Sequence, residues 1–490
     1  MYEDRILNPE LRKLVMSAEE AAAKVKSGMV IATSGFGTGY PKAIPTALAE
    51  SKHATGLTVL NGAARGDRHI GAMAKAGILK RGYGFQYSKT MRNTINTGKV
   101  EYSDLHLGQF VDKIKRGTYG HIDMAIMECS KIREDGGLVP TMSAGISEAI
   151  AQLADTILIE INEDLPIDIE GFHDFGAPEG AIVESPSQRL GVDYIKVDTS
   201  KIAGIVMTNL PDTDLYYPEA TELYDKLSGN VIRVLKNEIA SGGIPEHFTF
   251  QSGMGVVANL VLVGLVGQGF KDLKMYTEVV SDQALFAVRE GIISEVTSTT
   301  LDITPIGFED LLRNIDFFKQ HLVLRPLNVT NSAPQIMAQD LVSMNTAWEA
   351  DIYGNINSSH AMGVQLINGL GGSNDFARNA KLTIFTTPST AKDDTISRIV
   401  PMVPHVDNTE HDVDIIVTEC GYADLRGLSP KERAASIIEN CAHPAYRQQL
   451  WSYFNSAVEL CGPCQTPHDL STALSWYGRY LETGTMKEQG

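Results

Sequence analysis

The chain has 490 residues, 43% of them apolar, with 42 Lys and Arg against 60 Asp and Glu, a net charge of −18 and a pI near 5.1. No clustered basic run is present, which argues against a nucleic-acid binder, and the length exceeds one ordinary hydrophobic core, which predicts two domains. No stretch reaches the ~18 uninterrupted apolar residues of a membrane span, and the N-terminal MYEDRILNPELRK carries acids where a targeting signal would not; the expectation is a cytoplasmic protein without membrane or nucleic-acid partners.

In chain order, Ser17-Ala-Glu-Glu is a capping-box start for a helix to about Lys26, Met29 to Thr33 is an apolar strand, and Pro41 to Ala49 reads as a helix. Further strands are predicted at Leu57 to Leu60, Ile122 to Met127, Ile157 to Ile161 and Ile202 to Met207. Runs such as IDMAIM and TILIEI are mostly apolar rather than alternating, as in strands covered on both faces, so the fold class is α/β with largely parallel or mixed sheets covered by helices. The Pro- and Asp-bearing segment NLPDTDLYYPE at 209–219 interrupts the pattern and divides the chain into domains 1–215 and 216–490. Beyond it come a helix to about Ile239, a helix near Val256 to Gly264, a strand ending at Glu278, and a mainly helical segment from Pro430. Asp123-Met-Ala-Ile-Met-Glu-Cys129 and Asp414-Ile-Ile-Val-Thr-Glu-Cys420 share a pattern that suggests two related halves.

Five cysteines, at 129, 420, 441, 461 and 464, fit a reducing compartment. Cys461-Gly-Pro-Cys464 has redox-motif spacing, but it follows the helical pattern Tyr446 to Leu460 instead of opening a helix, so a helix-ending turn is the favoured reading; Cys461, Cys464 and His468 lack a fourth zinc ligand.

Glycine-rich turns recur at Ser34 to Gly39, Gln251 to Gly255 and Asn368 to Asn374, where backbone N–H groups could face an anion or an oxyanion, or where glycine serves only turn geometry. The first fails the dinucleotide spacing G-x-G-x-x-G, and there is no Walker A sequence. His405 and His411 lie in a polar loop without standard metal spacing, and no metal site is expected. Glu278 and Glu419 each end an apolar strand, where open α/β sheets place ligands. The plain alternatives are a strand-end Glu278 paired with a surface Lys and Glu419 as a helix-capping acid.

Ordered segments carry a resemblance along 5–486: SGF with YPKAIP at 34–45, HLGQ at 106–109, EDGGLVPT at 134–141, QSGMG at 251–255, YTEV at 276–279, DIYGNINSSHAMG at 351–363, NGLGGSNDFARNA at 368–380, PSTAK at 388–392, IVPMVPHVD at 399–407 and TECGYADLRGLSP at 418–430. By these the chain resembles the acetyl-CoA hydrolase/transferase family of the class I coenzyme A transferases, and within it the succinyl-CoA:acetate CoA-transferase type. The resemblance implies two related α/β domains with the active site between them, a homodimer, and coenzyme A as a substrate rather than a cofactor. It makes Glu278 the nucleophile, which would carry an acyl-glutamyl anhydride and then a glutamyl-CoA thioester. It assigns oxyanion donors to the backbone N–H groups of Met254 and Gly372, an active-site amide to Asn331 and a second active-site carboxylate to Glu419. Contacts with coenzyme A are implied for Gly253, Met254, Gly255, Val256, Val257, Asn368, Gly372 and Lys392. Relatives have GGSGDF where this chain has Gly371 to Phe376, and a Ser-Thr pair where it has Ala64-Arg65, near the acyl end of the site; Arg65 could pair with a distal carboxylate or point to solvent. The expected reaction is CoA transfer between an acyl-CoA and a small carboxylate, acetate with succinate, propionate or butyrate. Hydrolysis through the same intermediate is the alternative, and a dinucleotide-dependent oxidoreductase a remote one.

Overall fold

A computed structural model describes residues 2–212 and 221–488. The boundary expected between residues 215 and 216 lies outside the described residues. Eight strands form the first sheet: β1 (Val30–Thr33), β2 (Leu57–Ala64), β3 (Leu79–Gln86), β4 (Glu101–Ser103), β5 (Met124–Ile132), β6 (Leu138–Pro140), β7 (Thr156–Asn162) and β8 (Ile202–Thr208). Eight more form the second: β9 (Thr249–Ser252), β10 (Leu273–Tyr276), β11 (Ile293–Ser298), β12 (Leu322–Leu324), β13 (Val342–Thr346), β14 (Leu382–Thr386), β15 (Ile415–Thr418) and β16 (Gly421–Asp424). The sequence-predicted strands are all present, and helices Ala18–Ala22, Ala43–Ser51, Glu222–Ser241 and Val256–Gly267 stand where expected. The capping box is made: Glu20 N–H donates to Ser17 Oγ (3.2 Å) and Ser17 N–H to Glu20 Oε2 (2.8 Å).

The two sheets share one topology. The first runs β4-β3-β2-β1-β5-β7-β8 in parallel, with β6 antiparallel on β5; the second runs β12-β11-β10-β9-β13-β14-β15 in parallel, with β16 antiparallel on β15. With the antiparallel strands set aside, each sheet has the order 4-3-2-1-5-6-7. The sequence repeat does not mark this relationship, which corrects the expectation: DMAIMEC is the fifth parallel strand of its sheet and DIIVTEC the seventh. An Asp, an apolar run and a Glu are what any strand covered on both faces and polar at its ends looks like.

Successive residues of β15 serve opposite cores. Ile415 and Val417 face a cluster shared with helix Glu222–Ser241, while Ile416 faces one closed by the C-terminal helices Pro430–Asn440, Pro444–Cys461 and Ser475–Thr483. Val139, Met142, Leu165, Ile169 and Phe172 of the first half also enter the core of the second sheet, so the halves share a buried apolar interface. Helix Pro444–Cys461 ends at the Cys461-Gly-Pro-Cys464 turn, with Gly462 at φ +63°, as the helix-ending reading expects. Among the described residues, no helix is long and apolar enough to cross a membrane.

The strand order reverses between β1 and β5 in the first sheet and between β9 and β13 in the second, and ligands of open α/β folds bind in the crevice at such a point. In the first half the crevice is filled by the chain itself. Lys42 Nζ, 1% exposed, sits 2.5 Å from Glu128 Oε2, 2.8 Å from Asp212 Oδ1 and 3.0 Å from Tyr40 O. Burial opposes the ammonium charge, but Asp212 and Glu128 hold its pKa above the usual lysine range. The second half leaves its crevice open.

Candidate active site

A cavity of about 390 Å³ lies between the halves. Phe36, Arg65, Phe85, Tyr87 and Leu107 wall it from the first half; Gln251 to Gly255, Glu278, Asn345 and Asn368 to Ser373 wall it from the second. Two of the three glycine turns therefore meet here, and the third, Ser34 to Gly39, contributes only Phe36. Its remaining polar groups bond within the chain: Ser34 Oγ donates to Gly39 O and accepts from Glu128 N–H.

Strand β10 stops at Tyr276, two residues before Glu278. The Glu278 carbonyl accepts from Thr299 N–H (3.0 Å), Thr300 N–H (3.2 Å) and Ser298 Oγ (2.7 Å), which fixes the backbone and leaves the carboxylate at the cavity wall. Asn331 Nδ2 donates to Glu278 Oε1 at 2.5 Å and to Asp375 Oδ2 at 3.2 Å. Thr330 Oγ1 donates to Asn331 Oδ1 (2.9 Å), so the amide NH₂ is turned toward the two carboxylates. Gly108 N–H, from the first half, donates to Asp375 Oδ2 at 2.8 Å.

Gly372 lies directly against the Glu278 carboxylate, and its backbone N–H favours the charged form. Any side chain at Gly372 would start inside the space held by the Glu278 carboxylate and the Asn331 amide, so glycine is required by close approach. Burial pushes the Glu278 pKa up to about 8, with Asp375 adding like-charge repulsion and the Asn331 and Gly372 donors opposing. Burial likewise raises Asp375 to about 6. A carboxylate of raised basicity with polarised N–H donors beside it is suited to attack an acyl carbon.

Of the turn Gln251 to Gly255, Gly253 N–H is spent on Met344 O (2.9 Å), whereas Met254 N–H has no acceptor among the described residues. Gly255, at φ +118°, opens helix Val256–Gly267. Val256 and Val257 line a neighbouring pocket rather than the cavity itself. Asn368 lines the cavity, its Oδ1 taken by Gly369 N–H (2.7 Å).

Three expected positions stand elsewhere. Ala64 is fully buried in the core of the first sheet and does not reach the cavity. Exposed Lys392, in a small hairpin, gives its ammonium to the Tyr480 hydroxyl at 2.8 Å. Glu419, just past β15, accepts Ser389 N–H (2.8 Å) and the Ser389 hydroxyl, and is not among the residues lining the cavity. Arg65 does reach the cavity, but neither to meet a free carboxylate nor to point into solvent: its NH1 and NH2 lie 2.6 and 2.5 Å from the two oxygens of Asp302 and its guanidinium packs over Tyr87. Asp375 and the aromatic wall escaped the sequence reading. Asp375 was visible only as a residue of the Gly371 to Phe376 segment, beside the Asn374 departure, and the wall residues come from strands and turns whose ends converge only in the folded chain.

Residues 3–207 match the acetyl-CoA hydrolase/transferase N-terminal domain, and residues 307–454 match the C-terminal domain of the same family. The chain is 41% identical to succinyl-CoA:acetate CoA-transferase of Clostridium kluyveri, over 99% of this chain and 92% of that protein. It is 38% identical to acetyl-CoA hydrolase of Schizosaccharomyces pombe, over 99% of each. The fold is shared with the crystal structure of 4-hydroxybutyrate CoA-transferase from Porphyromonas gingivalis at a TM-score of 0.66 and 22% identity, covering 93% of this chain and 100% of that one.

Proposed function

The chain belongs to the acetyl-CoA hydrolase/transferase family, as an enzyme of the CoA-transferase kind, and from that premise we propose that it moves coenzyme A between acetyl-CoA and a second small carboxylate by way of Glu278. The observation that carries this reading is the Glu278 carboxylate, held at the wall of the interdomain cavity by Asn331 and lying against Gly372.

In the first step the ionised Glu278 attacks the thioester carbonyl, the C–S bond breaks, and the CoA thiolate leaves an acyl-glutamyl anhydride. The thiolate then attacks the glutamyl carbonyl, expelling the acid and forming a glutamyl-CoA thioester. A second carboxylate attacks that thioester and the same steps run in reverse, which is a ping-pong cycle. Met254 N–H and Gly372 N–H are the donors for the oxyanions, and their worth would rise with exclusion of water from the cavity, which would also protect the anhydride. Arg65 is already balanced by Asp302, so a distal carboxylate on the substrate would have to displace Asp302, whereas a short acyl chain fits the wall of Phe36, Phe85 and Tyr87.

Hydrolysis is the second reading, favoured by the 38% identity to a protein named acetyl-CoA hydrolase. Water would then resolve the same glutamyl thioester. Following acetyl-CoA with and without added succinate, propionate or butyrate separates the two. Transfer yields the new acyl-CoA with total CoA thioester conserved; free CoA accumulating at an unchanged rate whatever acid is added would establish hydrolysis instead.

A further inference from the structure

Arg398 is fixed by its backbone and unsatisfied at its tip. Its N–H donates to Ser389 O (2.9 Å) and its carbonyl accepts from Ala350 N–H (2.9 Å). The guanidinium carbon lies 3.7 Å from the centre of the Trp348 ring. Among the described residues the guanidinium has no hydrogen bond and no ion pair; Glu349 is the carboxylate whose charge it feels, and Glu349 Oε1 is already occupied by Asn357 Nδ2 at 2.7 Å. A partly buried guanidinium with no anion in direct contact is costly.

The stacked pair of Trp348 and Arg398 lines a second pocket, of about 220 Å³. That pocket shares Met254, Gly255 and Thr346 with the cavity of Glu278, so the two are adjoining compartments of one cleft. Val256 and Val257, which begin the 12-residue helix Val256–Gly267, line the same pocket. The first N–H groups of a helix have no partner within it and favour negative charge, which adds to the guanidinium's field without being its only source. A planar guanidinium whose face is taken by an indole keeps its edge N–H groups for two oxygens of one anion.

We propose that Arg398, held on Trp348, binds a phosphate group of the CoA substrate in this second pocket. The inference rests on the CoA reading of the neighbouring cavity and deepens it. The phosphate could belong to the 3′-phosphate or to the pyrophosphate of coenzyme A, and the recognising chemistry is the same for both.

The test pairs steady-state kinetics with direct binding. Arg398→Ala should raise KM for acetyl-CoA by about 10- to 100-fold, with kcat changed by less than about threefold, as befits a group that holds the handle and not the reacting carbon. The acetyl thioester of pantetheine, which has no phosphate, should lose nothing. The acetyl thioester of dephospho-CoA then tells the sources apart: a vanished penalty assigns the 3′-phosphate, a persisting one the pyrophosphate. Arg398→Lys, which keeps the charge and loses the fork, should fall between and guards against a misfolded alanine variant. An equal penalty on the pantetheine thioester, or an unchanged KM for acetyl-CoA, overturns the assignment. Titration of adenosine 3′,5′-bisphosphate and of CoA itself keeps the two readings distinct. If wild type binds CoA and Arg398→Ala binds it equally well, only the Arg398 assignment is wrong; if wild type binds no CoA, the CoA reading itself fails.

Discussion

Gly372 lies against the Glu278 carboxylate so closely that a single methyl group on its α-carbon could not be accommodated without driving the carboxylate away. The contact joins a helix N-terminus of the second half, at Ser373–Ala377, to a residue just past β10, and it is what makes the Gly372 N–H a neighbour of the proposed nucleophile. Gly372→Ala should therefore leave the fold intact, because Gly372 itself is at φ −94°, a conformation open to alanine. It should lower kcat by roughly 10²-fold, because the methyl group displaces the Glu278 carboxylate from its place while the N–H itself remains. Steady-state acetyl-CoA kinetics check this, and activity within about threefold of wild type would show that the close approach has no catalytic role.

Asp375 shares the Asn331 amide with Glu278 and is faced by Gly108 N–H, with Arg378 the nearby cation. Its negative charge helps keep the Glu278 pKa near 8, so kcat/KM should rise with pH toward that value as the nucleophile ionises. Asp375→Asn removes the like charge and should move this rising limb to lower pH by about one unit. A role confined to structure would lower the plateau and leave the limb where it was.

Much of the sheet scaffold was legible, because runs such as TILIEI can satisfy both covered faces only as parallel strands. The candidate site was legible in part for a different reason. Glu278, Asn331 and Gly372 lie in motifs with a known family pattern, whereas Asp375 acts through a hydrogen bond that closes only when 331 and 375 meet in space. Arg65 illustrates the limit from the other side: its partner Asp302 is 237 positions away, and no local pattern announces it. Lys392 and Glu419, read from motifs alone, proved to be bonded to Tyr480 and Ser389. The topological repeat was invisible because it resides in strand order, which the short DMAIMEC and DIIVTEC match does not track.

The buried charge on Glu278 has a consequence for stability. Its folded pKa of about 8 lies above the ordinary value of 4.5, so the folded state binds this proton more tightly than the unfolded chain. Stability from this group is then full at low pH and is lost as pH rises through the window between those values. Glu278→Gln has no such dependence. Its Tm should match wild type near about pH 5 and exceed it increasingly toward about pH 8.5, a trend that calorimetric melts would reveal. A Tm difference that stays constant over this range would contradict the raised pKa.

Lys42 is the counterpart in the first half, where the crevice is sealed instead of used. Lys42→Met should leave Glu128 and Asp212 without their cation and cost about 3–5 kcal/mol, measured by urea unfolding at neutral pH. The loss should shrink in acid, as the stranded Glu128, whose pKa burial already raises, takes up a proton. Unchanged stability at neutral pH would mean that the seal is replaceable by packing alone.

The central claim is that Glu278 carries coenzyme A covalently, and intact-mass analysis tests it most directly. Protein incubated with acetyl-CoA alone should gain the mass of a CoA thioester. After borohydride the adduct should be lost and Glu278 reduced to the alcohol, with peptide mapping placing the change at that residue. Glu278→Gln should show neither adduct nor turnover. Wild-type turnover without any adduct, a reduction mapped to another residue, or an active Glu278→Gln variant would contradict the account.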